Sequence, residues 1–297
     1  LGNGRYFPPR ANKPHKIPYF GLPTCRLNLI VEYADGSRQR LVTDETWRVT
    51  DRGPIRSNNE YDGETYDARL ELDGWTRPGF DDSAWQKAER SAIPYGTLRA
   101  QPAPNMRADT LGSPLSVSAT DGKLILDFGE NMAGHVAFRP RGNRGDTIRI
   151  RYAEKLDSDG SIFTANLRDA LSTDTYICSG NETGRFWSPS FTYHGFRYAE
   201  VSGLPGAVAE DFAAIHTGDP VGRAGSFACS DTILNRVIEN AARGIRSNYK
   251  GMPVDCPQRN ERQPWLGDRA AGALGETFLF DNAAIYSKWV RDICEAQ

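Results

Sequence analysis

The residues with the greatest capacity for chemistry lie together between positions 255 and 268. These fourteen residues include three carboxylates, two arginines, three side-chain amides and one tryptophan: Asp255, Glu261 and Asp268; Arg259 and Arg262; Gln258, Asn260 and Gln263; and Trp265. A carboxyl group can donate a proton or bind hydroxyls, arginine presents a planar fork of donors, and an indole offers an apolar face to a sugar ring. This combination predicts a site that cleaves a carbohydrate.

The segments that must hold this stretch divide into two regions of different periodicity. From about residue 25 to residue 220, apolar and polar residues alternate between Gly, Pro, Asn and Asp, which is typical of short antiparallel strands joined by turns. Residues 26–33 are predicted to form a strand entering a hairpin at Asp35 and Gly36, with residues 47–49 pairing to it after Leu41 and Val42. The proline-containing stretch 98–118 interrupts the pattern near residue 108, so the sequence predicts two β-sandwiches.

A helical region begins at the capping residues Ser230 and Asp231. The next apolar residues fall on one helical face: Ile233, Leu234, Val237, Ile238, Ala241, Ala242 and Ile245. A second apolar helical segment is predicted from about residue 267 toward residue 297. Pro253, Pro257 and Pro264 stop helix propagation between the two, so we expect the stretch 255–268 to be an irregular loop held by rigid helices.

Length and composition exclude several classes of function. A chain of 297 residues favours two or three domains, and its 36 basic and 38 acidic residues leave no charged surface for nucleic acid or an anionic membrane. No apolar run approaches the roughly twenty residues that cross a bilayer. The five cysteines form no Cys-x-x-Cys pair, which argues against a zinc site or a dense disulfide framework. The cysteines do not show in which cellular compartment the protein resides. We expect a secreted or periplasmic location, with any export signal upstream of Leu1.

Several motifs in the chain resemble the bacterial α-L-rhamnosidase family of glycoside hydrolases. The stretch 255–268 closely resembles the signature of its catalytic domain. Further motifs resemble its N-terminal sandwich: GETYDAR at 63–69, GW at 74–75 and FDDSAW at 80–85. Others resemble its second sandwich: DFGENMAG at 127–134, YAE at 152–154 and YHGFRY at 193–198. The resemblance covers the chain from about residue 20 to its end, in the order of the family.

The resemblance implies an architecture of three parts. They are an N-terminal rhamnosidase-type β-sandwich at 1–107, a second, concanavalin-like β-sandwich at 108–220, and the beginning of a catalytic toroid of six α-hairpins at 221–297. A complete toroid needs about a dozen helices, or on the order of 140 residues, and fewer than eighty residues follow Pro220. We therefore expect the chain to require the remainder of the toroid and to be inactive alone.

The resemblance also implies roles for individual residues. Glu261 is the general acid of an inverting mechanism that releases terminal α-L-rhamnose from glycans or glycosides. Asp255 and Asp268 bind rhamnose hydroxyls, Arg259 orders these carboxylates or contacts the sugar, and Trp265 forms an apolar wall. The general base of the family is a glutamate farther along the toroid, and no residue of this chain matches it. No cofactor is implied, and the DSDG segment at 157–160 lacks the later ligands of a calcium loop, which favours a hairpin turn.

Two departures from the family pattern lie beside the acid. Asn260 replaces an aspartate, and the loss of this negative charge could lower the pKa of Glu261 compared with that of family members. Gln263 and Pro264 replace an aliphatic residue and a glycine, and the proline stiffens the loop. A general acid has to be protonated near neutral pH. We therefore expect Glu261 to lie in an apolar or carboxylate-rich surround that raises its pKa.

Two other functions remain open on the sequence. The sandwiches could dock glycans in a non-catalytic carbohydrate-binding or scaffolding fragment, an alternative supported by the β-rich content and the missing base. The altered loop also permits a related glycosidase that acts on a different sugar, such as another deoxyhexose or a uronic acid. Glycan binding that survives removal of residues 221–297 would favour the first of these.

Overall fold

The computed structural model describes residues 1–4, 7, 21–92 and 97–297. Thirteen β-strands precede three α-helices in these ranges, which confirms the prediction of a β-rich region followed by a helical one. None of the helices in the described ranges is both long enough and apolar enough to span a bilayer.

The strands are short, with the exception of β9. They are β1 (Asn28–Glu32), β2 (Arg38–Val42), β3 (Arg48–Val49), β4 (Ile55–Asn59), β5 (Gly63–Asp67), β6 (Gln86–Lys87), β7 (Arg107–Gly112), β8 (Ser116–Thr120), β9 (Lys123–Phe138), β10 (Thr147–Ala153), β11 (Thr173–Ile177), β12 (His194–Ser202) and β13 (Phe212–Gly218). The helices are α1 (Thr232–Ser247), α2 (Leu266–Thr277) and α3 (Ala283–Glu295).

Nine of the strands form one large sheet in the order β4, β5, β11, β10, β12, β9, β13, β7, with β8 also paired to β9. The β5–β11 pair is parallel and the other pairs are antiparallel. β9 pairs with β8 through its first half and with β13 through its second half. Gly129 lies between the halves at a φ of 80°, which glycine adopts without a steric penalty. The sheet thus curls around a core that includes Leu126, Phe138, Ile148 and Phe196.

The large sheet spans the predicted boundary near residue 108. β4 and β5 precede that boundary, yet β5 pairs with β11, and Thr65, Tyr66 and Asp67 lie opposite residues 175–177. The division into two sandwiches at residues 107 and 108 stays a prediction.

Local turn signals in the β-rich region are confirmed, whereas one distant pairing is not. β1 and β2 form the predicted hairpin around Asp35 and Gly36, with Asn28 opposite Val42. The segment 157–160 forms a turn, closed by the backbone hydrogen bond from Gly160 to Asp157 at 3.0 Å. The expected partner of residues 47–49 was wrong, because β3 pairs with β6.

The helical region starts as predicted and then differs from the prediction. Asp231 caps α1, since its Oδ1 accepts from the N–H of Ile233 at 2.8 Å and of Leu234 at 3.2 Å. The second helical segment is two helices, α2 and α3, separated by residues 278–282. Phe280 in this break packs against Tyr249 in the helical core, and the Asn282 amide donates to the Tyr249 hydroxyl at 3.1 Å. These tertiary contacts stabilise the break.

Candidate active site

The predicted loop between α1 and α2 closes on itself. The Asp255 N–H donates to the Gln263 carbonyl at 2.9 Å, and the Gln263 N–H donates to Asp255 Oδ1 at 2.5 Å. No helix or strand lies between these two residues. This closure brings the two ends of the segment together and presents Arg259 and Glu261 between them.

Arg262 holds the loop on the β-rich region. It is fully buried, and its guanidinium lies 4.8 Å from the ring centroid of Tyr193 and 5.4 Å from that of Tyr61. The guanidinium donates to four backbone carbonyls, namely Glu60, Tyr193 at 2.7 Å, Arg259 at 3.0 Å and Gln258 at 3.1 Å. Two of these carbonyls belong to the loop and two to the strand region, so Arg262 ties one to the other.

Gly195 in β12 permits the loop to lie directly on the sheet. A Cβ at this position would be 2.7 Å from the Cβ of Gln258 and 2.9 Å from the Cγ of Pro257. Such separations are shorter than van der Waals contact, so any side chain at position 195 would displace the loop. A glycine at this strand position therefore marks a close backbone approach.

The Glu261 carboxylate is surrounded by nitrogen donors. Oε1 accepts from the indole Nε1 of Trp265 at 3.0 Å. Oε2 lies 2.8 Å from an Arg259 guanidinium nitrogen and 3.1 Å from an Arg168 guanidinium nitrogen. The side chain is 14% exposed. The geometry thus unites Glu261, Arg259 and Trp265, all of which the sequence identified.

The expected rise in the pKa of Glu261 is not found. Partial burial acts to raise the pKa, but the Trp265 hydrogen bond and the positive charges of Arg259 and Arg168 together outweigh it and hold the pKa below its ordinary value. The expectation was wrong because the surround consists of two guanidinium groups and an indole N–H. In this arrangement Glu261 is a carboxylate.

Asp255 lies in the same cluster, with its side chain only 4% exposed. Its Oδ2 is 3.5 Å from the Arg259 guanidinium. Ligand atoms of Asp255, Cys256 and Glu261 lie within 4.8 Å of one another, a spacing that could hold a metal ion. Arg259 pairs with both carboxylates and already supplies positive charge there. Burial raises the pKa of the Cys256 thiol to about 11, which favours a structural thiol over a nucleophile.

Asp268 is not part of this cluster. It lies exposed in the first turn of α2, and among the described residues the structure records no hydrogen bond or ion pair between its carboxylate and Asp255, Arg259 or Glu261. A carboxylate in the first turn of a helix interacts favourably with the helix dipole. Its role in binding a hydroxyl stays a prediction.

Three further residues from the β-rich region reach the loop, and sequence reasoning did not identify them. The Tyr61 hydroxyl donates to the Glu261 carbonyl at 3.0 Å, and Asp169 accepts from the Asn260 amide at 3.2 Å. Arg168 pairs with Glu261 itself. These contacts join residues between 91 and 200 positions apart in the chain. No local pattern in the sequence could have indicated them.

Glu154 is a fourth such residue, close to the Arg259 charge. Its carboxylate accepts from Asn131 at 2.7 Å and from Asn166 at 3.2 Å. Burial raises the pKa of Glu154, although these hydrogen bonds and the charge of Arg259 act to lower it. Glu154 is the last residue of the YAE motif and directly follows β10. The sequence placed this motif in the second sandwich and gave Glu154 no role in the site.

A second polar cluster has the composition of a nucleophilic triad but is closed to substrate. His194 Nδ1 lies 3.1 Å from the Ser172 hydroxyl, and His194 Nε2 lies 3.2 Å from the Asp174 carboxylate. All three residues are fully buried, and the Tyr152 hydroxyl also donates to Asp174 at 2.7 Å. The cluster joins β10, β11 and β12, so its role is structural.

Comparisons with known proteins identify the same family for each part of the chain. Residues 1–110 match the α-L-rhamnosidase N-terminal domain, and residues 117–217 match the bacterial α-L-rhamnosidase concanavalin-like domain. Residues 222–297 match the bacterial α-L-rhamnosidase 6 hairpin glycosidase domain. These three matches together cover most of the chain.

Individual relatives agree with the family models. An α-L-rhamnosidase of Streptomyces avermitilis is 39% identical over 290 residues, and the match covers 96% of this chain and 28% of that protein. An α-L-rhamnosidase of Formosa agariphila is 36% identical over 286 residues, and the match covers 93% of this chain and 30% of that protein. The solved structure of the Streptomyces avermitilis enzyme complexed with L-rhamnose has a TM-score of 0.86 at 38% identity, covering 91% of this chain and 26% of that one. The structure of α-L-rhamnosidase from Dictyoglumus thermophilum has a TM-score of 0.91 at 38% identity, covering 100% and 33%. The chain therefore spans between about one quarter and one third of the length of these relatives.

Proposed function

Because this chain belongs to the bacterial α-L-rhamnosidase family, we propose that it is part of a glycoside hydrolase that releases terminal α-L-rhamnose from glycans or glycosides. The observation that carries the proposal is the position of Glu261, partly buried and fixed at both carboxylate oxygens within a loop that also holds Asp255, Arg259 and Trp265. The relative from Streptomyces avermitilis, whose solved structure contains L-rhamnose, supports this choice of sugar.

In the proposed mechanism Glu261 is the general acid of an inverting reaction. It gives its proton to the bridging oxygen as the bond between that oxygen and the anomeric carbon breaks. A second carboxylate, roughly 6.5–9.5 Å from the first, removes a proton from the water that attacks the anomeric carbon from the opposite face. We assign this base to a hairpin beyond the 297 residues of this chain. The chain then contributes the acid half of the site.

The positions of Trp265 and Arg259 support the binding roles that we propose for them. Trp265 is partly exposed while its N–H is held by Glu261, so the indole can offer an apolar face to a pyranose ring beside the acid. Arg259 orders the carboxylates of Asp255 and Glu261, and its guanidinium remains one-third exposed for contact with a hydroxyl. Asp255 and Asp268 complete the proposed set of hydroxyl-binding residues.

We propose that the finer architecture is two β-sandwiches followed by the first helices of a six-hairpin α/α toroid. Apolar side chains on the outer faces of the three helices support this proposal, because Ile233 and Val237 of α1, Leu274 of α2 and Val290 of α3 are all exposed. Further hairpins would cover these faces. A helix face of this kind stabilises a domain only when it is buried against another element.

The activity of the chain itself tests the proposal. We expect the purified 297-residue chain to release no rhamnose from 4-nitrophenyl α-L-rhamnoside or from a rhamnosyl disaccharide, because the base is absent. The positive control is a polypeptide that continues through the remaining hairpins, which we expect to release rhamnose. Release by the chain alone would contradict the division of the site, and no release by the longer polypeptide would contradict the assigned sugar.

A further inference from the structure

The hydrogen-bonding groups around Glu261 leave no place for a proton on Oε2, the carboxylate oxygen that faces two guanidinium groups. Oε1 accepts from the indole of Trp265, and Oε2 faces the guanidinium groups of Arg259 and Arg168. Indole and guanidinium groups donate hydrogen bonds and cannot accept them. A proton on Oε2 would point at one of the two guanidinium groups. One of these groups must therefore move before Oε2 can hold a proton and deliver it.

Arg168 is the donor held least firmly. Its side chain is 52% exposed, its distance to Glu261 is 3.1 Å, and that carboxylate is its one recorded partner within the described ranges. Arg259 lies closer, at 2.8 Å, and also pairs with the buried Asp255. An exposed arginine in a single ion pair gains little from it. Arg168 can thus withdraw into solvent at lower cost than Arg259.

The backbone around Arg168 is held on both sides, so that the side chain alone is free to move. Leu167 is buried with Tyr61 and Ala170 in a small apolar cluster. On the other side Asp169 accepts from Asn260 of the loop at 3.2 Å.

Arg168 itself has a φ of 57°, in the left-handed region that a non-glycine residue seldom adopts. Strained backbone conformations of this kind persist only where the surrounding structure enforces them, and they are concentrated at functional sites. The fold therefore directs this guanidinium at the acid from a different region of the chain.

We propose that Arg168 is a positioning residue for Glu261, whose guanidinium caps Oε2 in the unliganded protein and withdraws when the bridging oxygen of a substrate takes its place. The proposal rests on the assignment of Glu261 as the general acid. While the cap is in place, Glu261 stays ionised. Withdrawal removes one of the two positive charges at Oε2 and allows that oxygen to carry the proton for the leaving group.

The other charged groups near Glu261 remain when Arg168 withdraws. Arg259 still contacts Oε2 and is balanced by Asp255 from the loop and by Glu154 from the end of β10. Trp265 keeps its hydrogen bond to Oε1. The carboxyl therefore stays in position while its pKa rises, as a general acid requires.

A carboxyl-carbon NMR titration of the 297-residue chain tests the cap without any need for catalysis. With glutamate labelled and the Glu261 signal assigned through Glu261→Gln, we expect Arg168→Gln to raise the pKa of Glu261 by about half a pH unit. Arg168→Lys should restore most of the difference. A matched control is Arg38→Gln, which breaks another exposed arginine–glutamate pair, 3.3 Å long, and should leave the Glu261 pKa unchanged.

Arg168→Gly is a second variant that removes the side chain without straining the backbone, because glycine adopts a positive φ freely. It shows whether an effect of Arg168→Gln comes from loss of the guanidinium or from a change in folding. It should raise the Glu261 pKa as much as Arg168→Gln does. An unchanged or lowered pKa in both variants would overturn the proposal.

The proposed cap also predicts a change in how the rate of the active enzyme depends on pH. In the active enzyme, the upper limb of the pH profile of kcat/KM should move to higher pH in Arg168→Gln by the same amount, because this limb reports loss of the acid's proton. A uniform loss of rate with no movement of the limb would show a structural role only and would also overturn the proposal. Failure of the assigned function would appear separately, as normal activity in Glu261→Gln.

Discussion

At the scale of single residues, Arg262 connects the segment around Glu261 to the β-rich region. Its guanidinium donates to the loop carbonyls of residues 258 and 259 and to the carbonyls of residues 60 and 193 in the β-rich region. It also makes cation–π contacts with the rings of Tyr61 and Tyr193. Buried carbonyls that lose a donor each cost about 1–3 kcal/mol. The guanidinium is thus the link through which the backbone next to Glu261 is fixed on the sheet.

We expect Arg262→Met to lower the free energy of unfolding by about 3 kcal/mol or more, because several buried carbonyls lose their donor. Arg262→Lys should lose less, since an ammonium group retains the charge and three donors. Urea unfolding of the chain measures both, with Arg38→Met as an exposed control. Equal stability of Arg262→Met and the parent chain would refute the role assigned to Arg262.

The sequence identified the parts of the site that lie within one loop. Asp255, Arg259, Glu261 and Trp265 come together because the loop between 255 and 263 closes on itself. Arg168 was missed because it is 93 positions away, and its contact with Glu261 exists only in the folded molecule. The pKa of Glu261 was misjudged for the same reason, since the sequence does not state which charges face Glu261.

At the scale of elements, the contact between β12 and the loop 255–263 depends on Gly195. The loop lies so close to the strand that a single added carbon would touch both Pro257 and Gln258. Overpacking of this kind costs typically about 1–3 kcal/mol, because neighbouring backbone has to shift.

We therefore expect Gly195→Ala to lower the free energy of unfolding by about 1–3 kcal/mol and to move the loop away from the sheet. The change should appear in urea unfolding and in amide shifts of residues 255–263. Gly53→Ala is a matched control, because nothing lies within 4 Å of a Cβ at that position. If Gly195→Ala proved as stable as Gly53→Ala, the close approach of the loop to β12 would not require a glycine at position 195.

Elements with local signals could be predicted, and their distant partners could not. The β1–β2 hairpin follows from a turn at Asp35 and Gly36, and the start of α1 follows from the cap at Asp231. The pairing of β5 with β11 depends on the whole sheet, and the break between α2 and α3 depends on Phe280 packing against Tyr249. Helical periodicity alone does not show such a tertiary contact.

At the scale of the whole molecule, connections between strands of the β-rich region form one wall of the proposed site, and the helical region forms another. Tyr61, Arg168 and Asp169 reach the loop from the β-rich region, while Trp265 stands at the start of α2. The two regions therefore act as one unit in presenting Glu261. The β-rich region is more than a spacer before the helices. A secreted or periplasmic location stays a prediction.

The central claim is that Glu261 delivers a proton to the bridging oxygen of a rhamnoside. It is tested most directly by the rate of Glu261→Gln on two substrates, measured in the active enzyme that carries this sequence with the remaining hairpins. A poor leaving group, such as a second sugar, needs the proton, whereas 4-nitrophenolate leaves readily without it.

We expect Glu261→Gln to lower kcat/KM by about 10²-fold to 10⁴-fold on a rhamnosyl disaccharide and far less on 4-nitrophenyl α-L-rhamnoside. Glu210→Gln, at an exposed position distant in sequence from the loop, is the control and should change neither rate. Equal losses on both substrates, or a normal rate on the disaccharide, would contradict the role of Glu261 as the acid.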